Sequence, residues 1–231
     1  MKIRNRYDRS AGSYRRGRPQ KRVSSDAFLI VTEGEVTEPE YLNALVSALR
    51  MSAIDVEVAH STTGSDPFSV VAHAEKRVTQ QRRDARNNPA VVPYDQIWVV
   101  FDREGINDGR DWQNAIYQAE AKGFKVALSN PSFEFWLLLH FVYTTAQFED
   151  SAAVERRLKK ENKGYAKIHG QVDYASIYLP LIEVSVLNSR KVRVDHDKTG
   201  ADNPYTAVDK LVVALNRAVQ KHNRLFEGVS G

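Results

Sequence analysis

The segment AFLIVTEGEVTEPEYLNALVSALR, residues 27–50, decides the fold that the sequence predicts. Residues 27–32 form a continuous apolar run rich in β-branched residues, which is typical of a buried strand. After a short turn, apolar residues recur with the spacing of one helix face, at Tyr41, Leu42, Leu45, Val46 and Leu49. Pro39 fits the first helical turn, where its missing amide hydrogen has no helical partner. The segment therefore predicts strand, turn and helix.

The same alternation continues along the chain. The alternating segment 54–60 and the segments 95–102 and 124–130 predict three further strands, and the patterns at 67–86 and 111–123 predict the helices between them. Regular alternation with short connections is typical of a parallel sheet covered by helices, with right-handed crossovers. The sequence therefore predicts an α/β fold with a mainly parallel four-stranded sheet flanked by helices.

The pattern divides the chain into three regions. Residues 1–24 form a basic arm, 25–145 the α/β core, and 146–231 a mostly helical extension packed on the core. Within the extension, the charged stretch 190–208 predicts a surface loop. An amphipathic helix is predicted to begin at Asn203 and the proline that follows it.

Negative charge gathers where the predicted strands end. Glu33 follows the first strand, Asp102 ends the third with Glu104 two residues later, and Glu134 lies in a helix behind the fourth. Sites in such sheets form beyond the carboxyl ends of the strands. Neighbouring carboxylates raise one another's pKa unless a positive charge lies between them. We therefore predict that these four carboxylates share a catalytic site.

The composition favours particular metal ions for such a site. The chain has no cysteine, which excludes thiolate metal sites and disulfides. Oxygen ligands favour Mg²⁺ or Mn²⁺, and Mg²⁺ usually takes one or two carboxylates together with waters and substrate phosphates. The predicted metal ligands are Glu33, Asp102 and Glu104, and the predicted chemistry acts on phosphates.

Other polar residues have plainer interpretations. Glu38 is interpreted as first-turn helix chemistry favoured by the helix dipole, and Glu35 as a surface or supporting residue. His140 lies on the apolar face of a helix and is predicted to have a structural role. The cluster at 195–197, Asp-His-Asp, could ligate a metal, but a charged surface loop is the favoured interpretation.

Positive charge is concentrated in two segments. Residues 1–22 hold nine lysines and arginines against one acid, Asp8, and so few apolar residues that they are not expected to fold alone. A second basic stretch spans 155–167. Both can neutralise the phosphates of a nucleic acid, and solvated surface segments are the alternative. The predicted nucleic-acid contacts are Arg15, Arg16, Arg18, Lys21, Arg22, Arg156, Arg157, Lys163, Lys167 and Tyr165, whose ring would stack on a base.

The composition also indicates the cellular location of the protein. Hydrophobic residues make up 42% of the 231 residues, enough for a globular core. No apolar run approaches the length of a membrane span, and the amino terminus lacks the apolar segment of a secretory signal. We expect a cytoplasmic protein without membrane contact. A homo-oligomer is possible.

Five segments together resemble one known family. They are FLIVTEGEVTEPEYL (28–42), IWVVFDRE (97–104), LSNPSFEFWLLLHF (128–141), KGYAK (163–167) and NPYTAVDKLV (203–212). Together they are similar to RloB-like proteins, over residues 27 to about 215. The spaced acids also resemble the Toprim domain of topoisomerases, primases and OLD-family nucleases. That likeness matches Glu33 to the invariant Toprim glutamate, and Asp102 and Glu104 to its two metal-binding acids, although Asp is more usual at the last position.

The resemblance implies a function. It implies a Toprim-like core that binds one or two Mg²⁺ ions and cleaves DNA or RNA phosphodiesters, in bacterial restriction, abortive infection or another antiphage system with a partner ATPase. The sequence has no P-loop motif, so nucleotide hydrolysis of that kind would belong to the partner. A non-catalytic nucleic-acid-binding or scaffold subunit is one alternative, and the departure at Glu104 favours it. A metal-dependent phosphotransfer enzyme acting on a small nucleotide is the other.

Overall fold

The structure, a computed structural model, describes residues 26–49, 55–62, 66–103 and 110–227. The basic arm and Glu104 lie outside the described residues. Among the helices of the described ranges, none has the length and apolar character to cross a membrane.

Five strands form one sheet in the spatial order β2-β1-β3-β4-β5. The first four are parallel to their neighbours, and β5 pairs antiparallel with β4. The predicted mainly parallel sheet flanked by helices is confirmed, but it has five strands rather than the four predicted. Four strands lie within one residue of their predicted bounds, whereas the two-residue β5 was not predicted. The strands are β1 (Ala27–Thr32), β2 (Asp55–His60), β3 (Gln96–Asp102), β4 (Lys125–Asn130) and β5 (Tyr205–Thr206).

Helices cover both faces of the sheet. Asp66 caps the helix at Pro67–Asn87, because its carboxylate accepts a hydrogen bond of 3.1 Å from the amide of Ser69. A short 3-10 turn at Leu179–Leu181 precedes α7. The helices are α1 (Thr37–Ala48), α2 (Pro67–Asn87), α3 (Arg110–Ala121), α4 (Glu134–Leu138), α5 (Ser151–Glu161), α6 (Tyr174–Ile177), α7 (Ile182–Thr199) and α8 (Val208–Glu227).

Alternate residues of the central strands serve two separate cores. On β1, Phe28 and Ile30 belong to the core that also holds side chains of α1, α4 and α8. Leu29 and Val31 belong to the core beneath α2 and α3. Successive side chains of a strand point to opposite faces. Burial on both faces therefore explains why β1 is a continuous apolar run rather than an alternating one.

The prediction for 190–208 is wrong in two respects. Residues 190–199 belong to α7, which ends at Gly200 with a φ of 71°, a left-handed cap that favours glycine. Asn203 leads into β5, and α8 begins only at Val208. The helix was hidden because its buried face is mostly polar, so it lacks a clear apolar period. That face consists of Ser185, Asn188, Ser189, Val192 and His196.

Candidate functional site

A pocket of about 400 Å³ opens at the carboxyl ends of two central strands. The strand order reverses direction between β1 and β3, because β2 lies on the other side of β1. Crevices at such reversal points are the usual binding sites of open α/β sheets. Glu33 directly follows β1 and Asp102 is the last residue of β3. The pocket is lined by Glu33, Gly34, Glu35, Val36, Thr37, Glu38, Asp102, Glu134 and Lys167.

Backbone hydrogen bonds across the two strands fix Glu33. Its amide donates to the carbonyl of Val100 at 3.0 Å. Its carboxylate in turn accepts a hydrogen bond of 2.9 Å, through Oε2, from the amide of Asp102. The first acidic side chain is thus held against the backbone of the second, as expected for residues that work together.

Asp102 carries the strongest sign of an unmet binding partner. Its Oδ1 atom is buried and has no hydrogen-bond partner among the described residues. Burial raises the pKa of Asp102 well above its usual value, and repulsion from Glu38, Glu134 and Glu33 raises it further. Leaving a buried acceptor unpaired costs free energy. The pocket therefore has an oxygen that a cation or a donor group would satisfy.

Glu38 also belongs to this pocket, although the sequence favoured a different role for it, an acid in the first turn of a helix that the helix dipole stabilises. Its side chain is 7% exposed, and its carboxylate lies so close over Gly34 that an added Cβ there would overlap it. Burial raises the pKa of Glu38 and repulsion from Glu134 adds to this, while Lys167 and nearby amides act against it. Gly34 is needed here for close approach rather than for an unusual backbone angle.

Glu134 is held by three neighbouring side chains of the pocket. It is 2% exposed and accepts hydrogen bonds from the hydroxyls of Ser132, at 2.6 Å, and Tyr165, at 2.8 Å. The ammonium of Lys167 lies 2.8 Å from its Oε1 atom. Burial alone would raise the pKa of Glu134, but the Lys167 charge and these hydrogen bonds together hold it below its usual value. Glu134 is therefore an ionised anchor.

Two residues predicted to bind nucleic acid lie in or beside the pocket instead. Tyr165 is 2% exposed, so its ring cannot stack on a base, and that prediction is wrong. The side chain of Lys167 is 43% exposed but directs its ammonium at Glu134. The loop that carries both residues is tied to α1, because the amide of Gly170 donates to Glu40 at 2.8 Å.

The remaining predicted residues stay apart from the acids. Arg156 and Lys163 are exposed on α5 and just after it, and Arg157 pairs with Glu161 at 2.9 Å. Glu35 is exposed at the rim of the pocket. The structure thus brings Glu33, Asp102 and Glu134 together as predicted.

A comparison with protein families fits this geometry. The family model for RloB-like protein matches residues 28–215, which include every acid described above and Lys167. The chain belongs to the RloB-like family. No curated protein and no solved structure matches it.

His140 of this RloB-like protein is structural, as predicted. It is 1% exposed. Its Nδ1 lies 3.0 Å from the carbonyl of Trp136 and its Nε2 lies 3.2 Å from the hydroxyl of Tyr41. A carbonyl only accepts, so Nδ1 carries the proton and Nε2 accepts from Tyr41. Burial lowers the pKa of His140 to about 4, which keeps the ring neutral at physiological pH.

The acids fit a Mg²⁺ ion that takes few protein ligands. In the described parts of the chain, no group of three or more His, Asp or Glu side chains is arranged to hold a metal ion. Mg²⁺ commonly takes one or two carboxylates and completes its shell with waters and phosphate oxygens. Glu33 and the unsatisfied Oδ1 of Asp102 supply oxygen donors of that kind.

Proposed function

We propose that this RloB-like protein is a Mg²⁺-dependent, Toprim-like nuclease that cleaves phosphodiesters of DNA or RNA. The observation that carries the proposal is the unpartnered, buried Oδ1 of Asp102 beside Glu33 at the strand reversal point. Structural carboxylates are normally satisfied by hydrogen bonds. A carboxylate oxygen left unsatisfied in an open pocket is prepared to take a ligand.

Glu33 and Asp102 would hold the metal ion. A bound Mg²⁺ polarises a phosphoryl oxygen and makes a coordinated water more acidic. Because the pKa of Asp102 is raised by burial and by neighbouring acids, this carboxyl must lose a proton before it binds a cation. Metal binding is therefore expected to release protons and to strengthen as the pH rises.

The other pocket residues have distinct tasks. The ammonium of Lys167 lies beside the acids and is more than a third exposed, so it can contact a substrate phosphate. Glu134 holds that ammonium in place and is itself held by Ser132 and Tyr165. Glu38 keeps its proton to a higher pH than an ordinary glutamate, which makes it the candidate proton donor to a leaving oxygen.

The test uses cleavage and metal binding together. Purified protein is incubated with plasmid, single-stranded DNA and tRNA in Mg²⁺, Mn²⁺ or EDTA, and Mn²⁺ binding is followed by electron paramagnetic resonance. Asp102→Asn and Glu33→Gln should lower cleavage about a hundredfold or more and weaken Mn²⁺ binding. Glu35→Gln, at the exposed rim, is the matched control. Full cleavage by both variants would overturn the assignment.

One feature favours a second function, a non-catalytic nucleic-acid-binding subunit. Glu104 stands at a position where an aspartate is more usual in the Toprim pattern. This alternative expects binding that weakens with salt and survives Asp102→Asn, without cleavage. A place in antiphage defence and a partner ATPase remain predictions from the family resemblance. Co-purification from the native host would test the partner.

A further inference from the structure

A second cleft lies near the same strand ends as the acidic pocket, but on the other face of the sheet. Its volume is about 350 Å³, within the range of roughly 300–1,000 Å³ that is usual for ligand pockets. Its lining includes side chains of α3, β4 and β5 rather than of α1 and α4. The residues used below are Arg103, Trp112, Ile116, Leu128, Tyr205 and Lys210.

The cleft and the acidic pocket are joined through the end of β3. Asp102 lines the pocket and Arg103, the next residue, lines the cleft. Successive residues of an extended chain direct their side chains to opposite sides. A ligand that reaches around this strand end can therefore contact both sites.

The lining of the cleft suits a flat aromatic ring. Ile116 and Leu128 are half-buried, so apolar surface remains open in the cleft. Trp112 and Tyr205 add two aromatic side chains. The buried Nε1 of Trp112 has no hydrogen-bond partner among the described residues, and an indole N–H can only donate. A ring that carries hydrogen-bond acceptors would meet both the apolar surface and this donor.

Positive charge lies beside the aromatic side chains. The Arg103 guanidinium sits 4.7 Å from the centre of the Trp112 ring and pairs with Asp202. Lys210 is exposed and lines the same cleft. Glu120 is the acid at the exposed rim of α3. Lys210 is thus the cation best placed to take a phosphate next to the bound ring.

We propose that this cleft binds a nucleobase of the nucleic-acid strand whose scissile phosphate lies in the acidic pocket. Trp112 and Tyr205 contact the base, the Trp112 indole donates to it, and Lys210 binds an adjoining phosphate. This inference rests on the proposed nuclease function for the identity of the strand. It adds a recognition site, which would give the enzyme a preference among bases near the cleavage point.

Tryptophan fluorescence tests the binding directly. Trp98 and Trp136 are 4% and 0% exposed, whereas Trp112 is half-buried and lines the cleft. The full-length protein is titrated with AMP, CMP, GMP and UMP, with a short single-stranded oligonucleotide, and with ribose 5-phosphate and inorganic phosphate as probes without a base. Saturable quenching by nucleotides and oligonucleotide, but not by the probes without a base, is expected.

Calorimetry on variants separates the cleft from the pocket. Trp112→Leu should weaken nucleotide binding about tenfold to a hundredfold, the usual effect of losing one base–aromatic stack. Lys210→Met should weaken it less. Tyr117→Ala, an exposed aromatic of the same helix at 69% exposure, is the matched control, and circular dichroism checks that each variant folds.

The outcomes distinguish this inference from the nuclease proposal. Unchanged nucleotide affinity in Trp112→Leu would overturn the proposal that this cleft binds a nucleobase. Quenching by nucleotides but not by the oligonucleotide overturns the assignment to a strand. Asp102→Asn should leave nucleotide quenching intact. Quenching without any cleavage by the wild-type protein would support the cleft and count against the nuclease.

Discussion

The two sides of one strand end carry opposite chemistry. On one side, Asp102 meets Glu33, Glu38 and Glu134, with Lys167 as the cation among the described lining residues. On the other, Arg103 lies over an aromatic ring and next to apolar side chains. One peptide unit separates a pocket suited to a cation from a cleft suited to a base. Alternation along the strand thus places the two proposed roles, metal binding and base recognition, on neighbouring residues.

The largest expected effect separates the two sides by activity. Glu33→Gln should lower cleavage about a hundredfold or more, because it weakens the charge that holds the metal. Arg103→Met should affect cleavage much less and instead change which bases flank the cut. Rates on oligonucleotides of different sequence measure both. An equal loss of rate in the two variants, without a change in base preference, would remove the distinction between the sides.

The close approach of Glu38 to Gly34 gives the next effect. Gly34→Ala would force the Glu38 carboxylate out of its place, and overpacking of this kind costs about 1–3 kcal/mol. Cleavage should fall as well. Gly164→Ala is the control, because the nearest atom to an added Cβ there is 3.5 Å away, an ordinary contact. Chemical denaturation compares the two, and equal stabilities would contradict the expected overlap.

Removing the ammonium from the pocket should destabilise the protein. Lys167→Met leaves Glu134 buried without its cation, at a cost of about 1–2 kcal/mol after allowance for the partial exposure of Lys167. The pKa of Glu134 is lowered in the folded state, so its contribution to stability is present above the usual glutamate pKa and is lost as the pH falls. The variant should therefore differ most from wild type near neutral pH. Urea unfolding at several pH values measures this.

The smallest expected effect is a gain in the free energy of unfolding rather than a loss. The pKa of Asp102 is raised in the folded state, so the folded protein loses stability as the pH rises from the usual aspartate pKa through the raised one. In EDTA at neutral pH, Asp102→Asn should therefore unfold at higher denaturant than wild type, while it loses cleavage. Lower stability of the variant in EDTA would contradict the described crowding of acids.

Local sequence patterns predicted the central strands. Strands β1 and β3 are apolar runs, and Glu33 and Asp102 could be placed because each sits at the end of such a run. Glu38 was misjudged because an acid in a first helical turn is common. The one local sign of its role was Gly34, four residues earlier, which leaves room for the carboxylate.

Long-range contacts explain the other misses. Nothing near Lys167 or Tyr165 in the sequence identifies Glu134 as their partner, because the tertiary fold makes that contact. An aromatic residue among lysines suits a base-stacking role and a buried role equally well. For α7, polar side chains fill most of the buried face, and long-range bonds hold them, such as that from Asn188 to the carbonyl of Leu139 at 2.8 Å.

The contact between Lys167 and Glu134 also bears on when the pocket can form while the chain is being synthesised. The five acids that line the pocket lie between residues 33 and 134, and the lysine emerges from the ribosome only after all of them. Domains can begin to fold while the chain is still being made. Until Lys167 arrives, the acids repel one another without its compensating charge. We expect the nascent pocket to form late, after Lys167 has left the ribosome.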